Sequence, residues 1–388
     1  PRSSRLGGAG ESISGARFNE RDERENRRSQ LVELFGTGSL GTLGLDGLTR
    51  EALRNPSPIA RRLAFGKLLE SMTVENAGEI REHLLAHGAD GREWDDFHYS
   101  WGAIAGREAL ELAAASEEED LSAVMSGWAA ANPAEAMAML DDLPDGMEGS
   151  RVQLAESLIA GLADHDLGMA TEMALQLSAE GTVRGDRAIR SVAQEALRLG
   201  GAVEAATWAE ALEDGPVKGA ALDRVAGAYV RDDPEAAADW VSRFAEDDYA
   251  ASAVAEVGEE WGEEDPTAAI GWLESLPEGS GQTRGFNSVL GEWEDQDPVA
   301  ASEYLAEMAP SPQRDAAVSG FARGYARQDP EVAVAWASDI SDPQLRQQSL
   351  TQVGRAYFRR DPEGARSWLE TTDLPAEARE QITSGRRR

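Results

Sequence analysis

Five Asp-Pro steps stand 32 residues apart: Asp233-Pro234, Asp265-Pro266, Asp297-Pro298, Asp329-Pro330 and Asp361-Pro362. A helix-interrupting pair repeated at one interval restricts the chain to a tandem array of equal units. Aromatic residues keep the same beat. Five residues before each proline stand Tyr229, Trp261, Trp293, Tyr325 and Tyr357, and six after it stand Trp240, Trp272, Tyr304, Trp336 and Trp368. Weaker copies extend the array upstream. Trp101 precedes Ala105-Gly106 with Leu112 following, Trp128 precedes Asn132-Pro133 with Met139, Leu162 precedes Asp166-Leu167 with Met173, and Leu197 precedes Gly201-Ala202 with Trp208.

Each unit reads as two helices. Before the proline, Val254, Val257 and Trp261, then Phe286, Val289 and Trp293, then Val318, Phe321 and Tyr325 fall on an i, i+3, i+7 stripe, one helical face. After it, Ala269, Trp272, Leu273 and Leu276 form a second stripe, as do Ala333, Trp336, Ala337 and Ile340. Asp serves as N-cap, and Pro at the first helical position loses no hydrogen bond. Leu276-Pro277-Glu278-Gly279 and Leu143-Pro144-Asp145-Gly146 supply turns that stop the second helix. One hairpin cannot bury its own stripe, so the Trp/Tyr pairs are expected to cement neighbouring layers. The predicted fold is all-α: a right-handed α-solenoid of about nine hairpins with a period of ~32 residues.

The ends depart from this beat. Residues 1–30 are polar, charged and aperiodic, and read as a disordered segment. Residues 31–100 read as a Gly-rich arm, with Gly36 to Gly47 a loop or extended strap, followed by an N-terminal helical cap. One cap helix is expected after Asn55-Pro56-Ser57-Pro58, with Ile59, Leu63, Leu68 and Leu69 apolar, and another over about Glu75 to His87. The array spans 101–375, and 376–388 form a C-terminal cap helix with a basic tail.

The formal charge is −34 at a pI near 4.4, which repels nucleic acid and anionic lipid and favours partners with basic surfaces. No apolar run reaches membrane-spanning length, so no direct membrane insertion is expected of this chain. The absence of cysteine excludes disulfides, thiolate metal sites and cysteine nucleophiles. It suits export to the periplasm, envelope or exterior, with a cytoplasmic location the alternative.

Local motifs for chemistry are few, and no cofactor is implied. His83 and His87 have the helical spacing of a metal pair, with His98 or Asp90 as a guessed third ligand, but the Glu of a zinc-protease helix is missing. Two histidines in a last helical turn, complementing its dipole, are the simpler account. Asp141, Asp142, Asp145 and Glu148 lack the alternation of a calcium loop and read as a solvated turn. His165, between Asp164 and Asp166, reads as part of a helix cap rather than a dyad.

The pattern of Trp/Tyr, three residues, Asp-Pro, five residues, Trp, then Leu-Pro-x-Gly resembles uncharacterised α-helical repeat proteins of the planctomycete and verrucomicrobial type. The stretch from Asn55-Pro56 through Glu70-Ser71-Met72-Thr73, then Trp94 and Trp101-Gly102, is similar to the segment preceding their repeats. The resemblance covers roughly residues 55 to 375 and implies export or membrane anchoring; it carries over no catalytic residue. A looser likeness to tetratricopeptide and HEAT repeats places the chain in the same broad solenoid class.

Charge along the array carries more information. From Glu246 to Glu303 sixteen acids meet one arginine, whereas from Ser311 onward eleven acids meet twelve arginines. Arginine recurs by repeat position: Arg231, Arg327 and Arg359 three before the proline, Arg323 and Arg355 seven before, Arg314 and Arg346 sixteen before. Such recurrence builds a ladder on one surface, either paired with neighbouring acids or free to dock. Arg231, Arg323, Arg327, Arg355 and Arg359, with Glu259, Glu260, Glu263 and Glu264, form the candidate interaction surface. The expected function is a non-catalytic scaffold docking a partner protein or peptide, with self-assembly as a further outcome. A structural subunit of an envelope or extracellular assembly is the first alternative. An α/α-toroid enzyme is the second, disfavoured because the aromatics repeat in register, as core packing requires.

Overall fold

The computed structural model describes residues 43–89, 91–115, 120–143 and 147–384. Among them every regular element is helical, with 21 α-helices and no strand. The expected disorder of residues 1–30, the arm up to residue 42, the turn at Pro144-Asp145-Gly146 and the basic tail lie outside the described residues. The chain forms two compact units, Pro1–Gly161 and Leu162–Arg388.

The first unit contains α1 (Leu45–Arg54), α2 (Pro58–Glu70), α3 (Ala77–His87), α4 (Gly91–Ala105), α5 (Arg107–Ala114), α6 (Leu121–Ala131), α7 (Pro133–Asp141) and most of α8 (Arg151–His165). Leu45, Asp46 and Gly47, expected in the Gly-rich arm, instead open α1. Helix α2 starts where its signals placed it, with Ser57 accepting from the Ala60 N–H at 3.3 Å. Its buried face is Ala60, Ala64, Phe65 and Leu68, while Ile59 and Leu63 stay exposed. Leu112 is likewise exposed; Ala109, Leu110 and Ala113 are the buried face of α5.

The second unit continues with α9 (Leu167–Ala179), α10 (Gly185–Glu210, interrupted at Gly201), α11 (Pro216–Asp232), α12 (Pro234–Ser242), α13 (Ala251–Glu264), α14 (Pro266–Ser275) and α15 (Ser280–Gln296). It closes with α16 (Pro298–Glu307), α17 (Pro312–Tyr325), α18 (Pro330–Ser338), α19 (Pro343–Arg360), α20 (Pro362–Thr371) and α21 (Ala376–Thr383). Helices α11, α13, α15, α17, α19 and α21 pack side by side in that order. The second helices α12, α14, α16 and α18 each pack on the first helix before and the first helix after. The stripes drive this: Val254, Val257, Phe286, Val289, Val318 and Phe321 are all buried.

One aspartate both ends the first helix and starts the second. The Asp297 N–H donates to the Trp293 carbonyl at 2.8 Å, while its carboxylate accepts from the Val299 and Ala300 N–H groups at 3.1 and 3.0 Å. Asp233, Asp265, Asp329 and Asp361 do the same. Each such cap contributes about 1 kcal/mol, and sharing one residue between two helices removes the loop. Where Asp-Pro is missing, the corner is made differently. Gly106 (φ 49°) and Gly201 (φ 76°) occupy the left-handed region that favours glycine. Asn132 makes no side-chain cap.

The aromatic beat holds hairpins together in a way that differs from expectation. Tyr229 packs on Trp240, Trp261 on Trp272, Trp293 on Tyr304 and Tyr357 on Trp368, with ring centroids 5.8–6.2 Å apart. These pairs join the two helices of one hairpin rather than neighbouring layers, each worth about 1 kcal/mol beyond burial. The layers are tied by the polar tips instead. Trp240 Nε1 donates to Glu210, Trp272 Nε1 to Ser242 Oγ and the Tyr304 hydroxyl to Glu274, all at 2.9 Å. The three acceptors occupy one position of the preceding unit.

A second tie lies sixteen residues before the proline. Arg314 Nε donates to the Leu305 carbonyl at 3.3 Å and Arg346 Nη1 to the Ile340 carbonyl at 2.8 Å. Gln282 Nε2, in the same position, donates to the Leu273 and Leu276 carbonyls at 2.9 and 3.1 Å. Arg151 Nη1, in the same position of its unit, donates to the Leu140 carbonyl at 2.6 Å. These side chains satisfy carbonyls at the end of the second helix, which a helix leaves unpaired. Arg314 and Arg346 therefore turn inward and leave the surface ladder.

Candidate functional site

The proposed metal pair resolves into something plainer. His83 Nδ1 and His87 Nε2 both approach Asp46 Oδ1 on α1, at 3.8 and 3.5 Å, and His87 Nδ1 lies 2.9 Å from the His83 carbonyl. The pair thus ties α3 to α1. Among the described residues no group of three such side chains is placed to hold a metal ion. Asp90, the side chain of Glu148 and Asp145 lie outside the described residues. His98 sits apart on α4, fully buried against Trp94, Phe97 and Trp101, with Nδ1 3.0 Å from the Trp94 carbonyl. Burial pushes its imidazole down to about 4, with the Arg81 charge acting in the same direction, so it is neutral at physiological pH. His165 is exposed, and Asp166 beside it caps α9.

What remains at the surface of the second unit is sorted by charge. Two positions of the first helices, seven and three before the proline, lie one turn apart on the exposed side. Helix α11 places Arg231 there; α13 places Glu259 and Glu263; α15 places Asp295; α17 places Arg323 and Arg327; α19 places Arg355 and Arg359. All eight side chains are exposed. Helix α21 follows with exposed Glu377 and Glu380.

Several of these groups already have neighbours. Arg231 Nη1 reaches Glu260 at 3.1 Å, Arg327 Nη2 reaches Asp295 at 3.3 Å, and Arg323 Nη1 donates to Asn287 Oδ1 at 3.1 Å. Arg355 holds Gln381 of α21 through Nη2 at 2.8 Å and Nε at 3.2 Å. Exposed pairs of this kind contribute about 0–1 kcal/mol each, so a docking partner can exchange them at little cost. Glu264 stands off the strip, at the corner next to Asp265. Arg231, Glu260, Glu259 and Glu263 are joined by α13 and its neighbours, and Arg323, Arg327, Arg355 and Arg359 form a separate basic half.

The acidic half is crowded enough to perturb its own titration. Burial, then Asp223, Glu260 and Glu259, raise the Glu256 carboxyl above its ordinary value, against the Arg231 charge. Burial, then Glu259, Glu263 and Asp295, raise Glu292. Like charges on three packed helices thus face one another, an arrangement that favours an approaching cation.

Beneath this half lies a residue that the charge pattern conceals. Glu294, four before the proline, is fully buried. Its Oε1 has no hydrogen-bond partner, and its other oxygen accepts from Gln328 Nε2 at 3.4 Å. The carboxyl rests over Gly324 of α17, where an added Cβ would lie 2.0 Å from Oε1. Burial first, then the Asp295 charge, pushes it up to about 7, against the Arg327 charge. The signal was present in the repeat: the corresponding residues are Val230, Gly262, Ala326 and Phe358, so an acid there breaks an apolar column.

Comparison with protein-family models, curated proteins and solved structures finds no match for the chain.

Proposed function

We propose that this chain is a non-catalytic protein-interaction scaffold: a right-handed α-solenoid of about nine hairpins whose first-helix face docks a protein partner. The observation that carries this reading is the sorting of charge at two exposed repeat positions, while the other recurrent positions are consumed by structure. The aromatics pair within hairpins, the aspartates cap, and the donors sixteen before the proline close helix ends. The position three before it stays exposed in all five copies while its sign changes from helix to helix, and the charged residues seven before it, one turn away, carry the same signs. Variation confined to an exposed, rigidly spaced face is how repeat arrays present a binding surface. The partner this face fits is a protein segment that sets basic groups over α13 and α15 and acidic groups over α17 and α19.

The test is a labelled peptide with an Arg/Lys-rich half and an Asp/Glu-rich half, followed by fluorescence anisotropy. Its control is a peptide of the same composition with the charges alternating. Blockwise charge should bind more tightly, weaken steeply with salt, and lose affinity in Glu259→Gln/Glu263→Gln. Equal binding of both peptides, or no effect of the substitutions, would overturn the docking reading.

A further inference from the structure

At the positions seven and three before the proline, the exposed charges of the side-by-side helices α13, α15, α17 and α19 run minus, minus, plus, plus. Read backward with every sign inverted, this order is unchanged. A two-fold axis lying in the plane of the face, parallel to the helices and between α15 and α17, therefore brings opposite charges together at each of these four helices. It sets α15 against the partner's α17 and α13 against its α19. Self-complementarity of this kind is what an isologous contact requires, since residue i meets j and j meets i.

We infer that the docking partner is a second copy of this chain, paired antiparallel through this face. The inference rests on the docking reading above and names its occupant. In the pair, Glu259 and Glu263 of one copy meet Arg355 and Arg359 of the other. The intramolecular contact Arg327–Asp295, exposed on both sides, is exchanged for the equivalent intermolecular one across the axis. Six helices at about 9 Å spacing, each contributing two turns, offer roughly 500–700 Å² per copy. That is just under the ~800 Å² per partner of a standard interface. A face this small and this charged gives a dimer that depends on concentration and dissolves in salt.

Sedimentation velocity on the full chain across dilution, at low and high salt, reads the equilibrium. Wild type should dimerise at low salt and fall apart at high salt. Glu259→Lys/Glu263→Lys and Arg355→Glu/Arg359→Glu should each raise the dissociation constant by about a hundredfold. Mixed together, the two variants should recover a heterodimer, because their reversed charges meet again across the axis. Circular dichroism of each variant alone separates lost pairing from lost fold, and recovery on mixing is not open to an unfolded chain. A wild type that stays monomeric while the blockwise peptide binds would overturn the second-copy inference and leave the docking reading standing. Monomer with no peptide binding would overturn both. A dimer indifferent to both reversals would overturn the inference by placing the contact elsewhere.

Discussion

Glu294 gives the sharpest test of the physical account. Its carboxyl titrates at about 7 in the folded chain against an ordinary 4.5, so between those values the folded state holds a proton that the unfolded state has released. Stability changes with pH as the protons bound unfolded minus those bound folded. That difference is negative here, so Glu294 makes the protein less stable as pH rises from about 4.5 to about 7. Below that window the group costs nothing. Above it the ionised, buried carboxylate costs about 3 kcal/mol at 1.36 kcal/mol per pH unit, of which about 2.5 kcal/mol develops between pH 5 and pH 8. Glu294→Gln keeps the shape and removes the charge. Urea unfolding of both chains at pH 5 and pH 8, followed by far-ultraviolet circular dichroism, should find the variant more stable at pH 8 by roughly that amount. At pH 5 the two should differ by less than about 1 kcal/mol. Glu256 and Glu292 add slopes of the same sign, but they are common to both chains and cancel in the comparison. A gap that is equal at both pH values, or a variant weaker at pH 8, would mean that Glu294 is ionised and paired with Arg327, and the reasoning would fail.

Other substitutions probe separate steps. Gly324→Ala places a methyl on the Glu294 carboxyl and should cost about 1–3 kcal/mol, with Glu294→Ala in the same chain recovering most of it in a double-mutant cycle of thermal melts. Asp297→Ala removes a carboxylate that caps two N–H groups and should cost about 1 kcal/mol by urea titration. Gln282→Leu removes the side-chain donor from the Leu276 carbonyl and one of two donors from the Leu273 carbonyl, and should cost about 1–3 kcal/mol. Gln282→Arg should stay within about 1 kcal/mol of wild type, because Arg314 and Arg346 fill the same position with the same donors. Gly106→Ala forces a side chain into the left-handed region and toward Trp128, with an expected loss of about 1–3 kcal/mol seen in the melting temperature.

The hairpins were legible because everything that makes them is local. An Asp caps residues two and three ahead of it, and stripes at i, i+3 and i+7 need no knowledge of the neighbour. The partner of each aromatic was not legible, because spacing alone does not say whether Trp261 meets Trp272 of its own hairpin or a ring of the next. The position sixteen before the proline was misread for a chemical reason. Grouping Arg314 with Arg346 by charge hid Gln282, although the property in use is hydrogen-bond donation to a carbonyl. Glu294 was hidden by the reverse error. Inside the most acidic stretch of the chain one more acid is unremarkable by composition, and only the column of Val230, Gly262, Ala326 and Phe358 shows it out of place.

That contrast says how far a repeat separates structure from function. Within one unit nearly every recurrent residue has a local structural use, so recurrence alone points to packing. A recurrent position becomes informative when it stays exposed while its chemistry changes from copy to copy, as from Glu263 to Asp295 to Arg327 to Arg359. No packing requirement distinguishes a carboxylate from a guanidinium at an exposed turn, and the intramolecular pairs they make are too weak to order the signs. On the proposed docking reading, the order of signs along these helices is what a facing surface has to complement, and α13, α15, α17 and α19 carry that complementary order themselves.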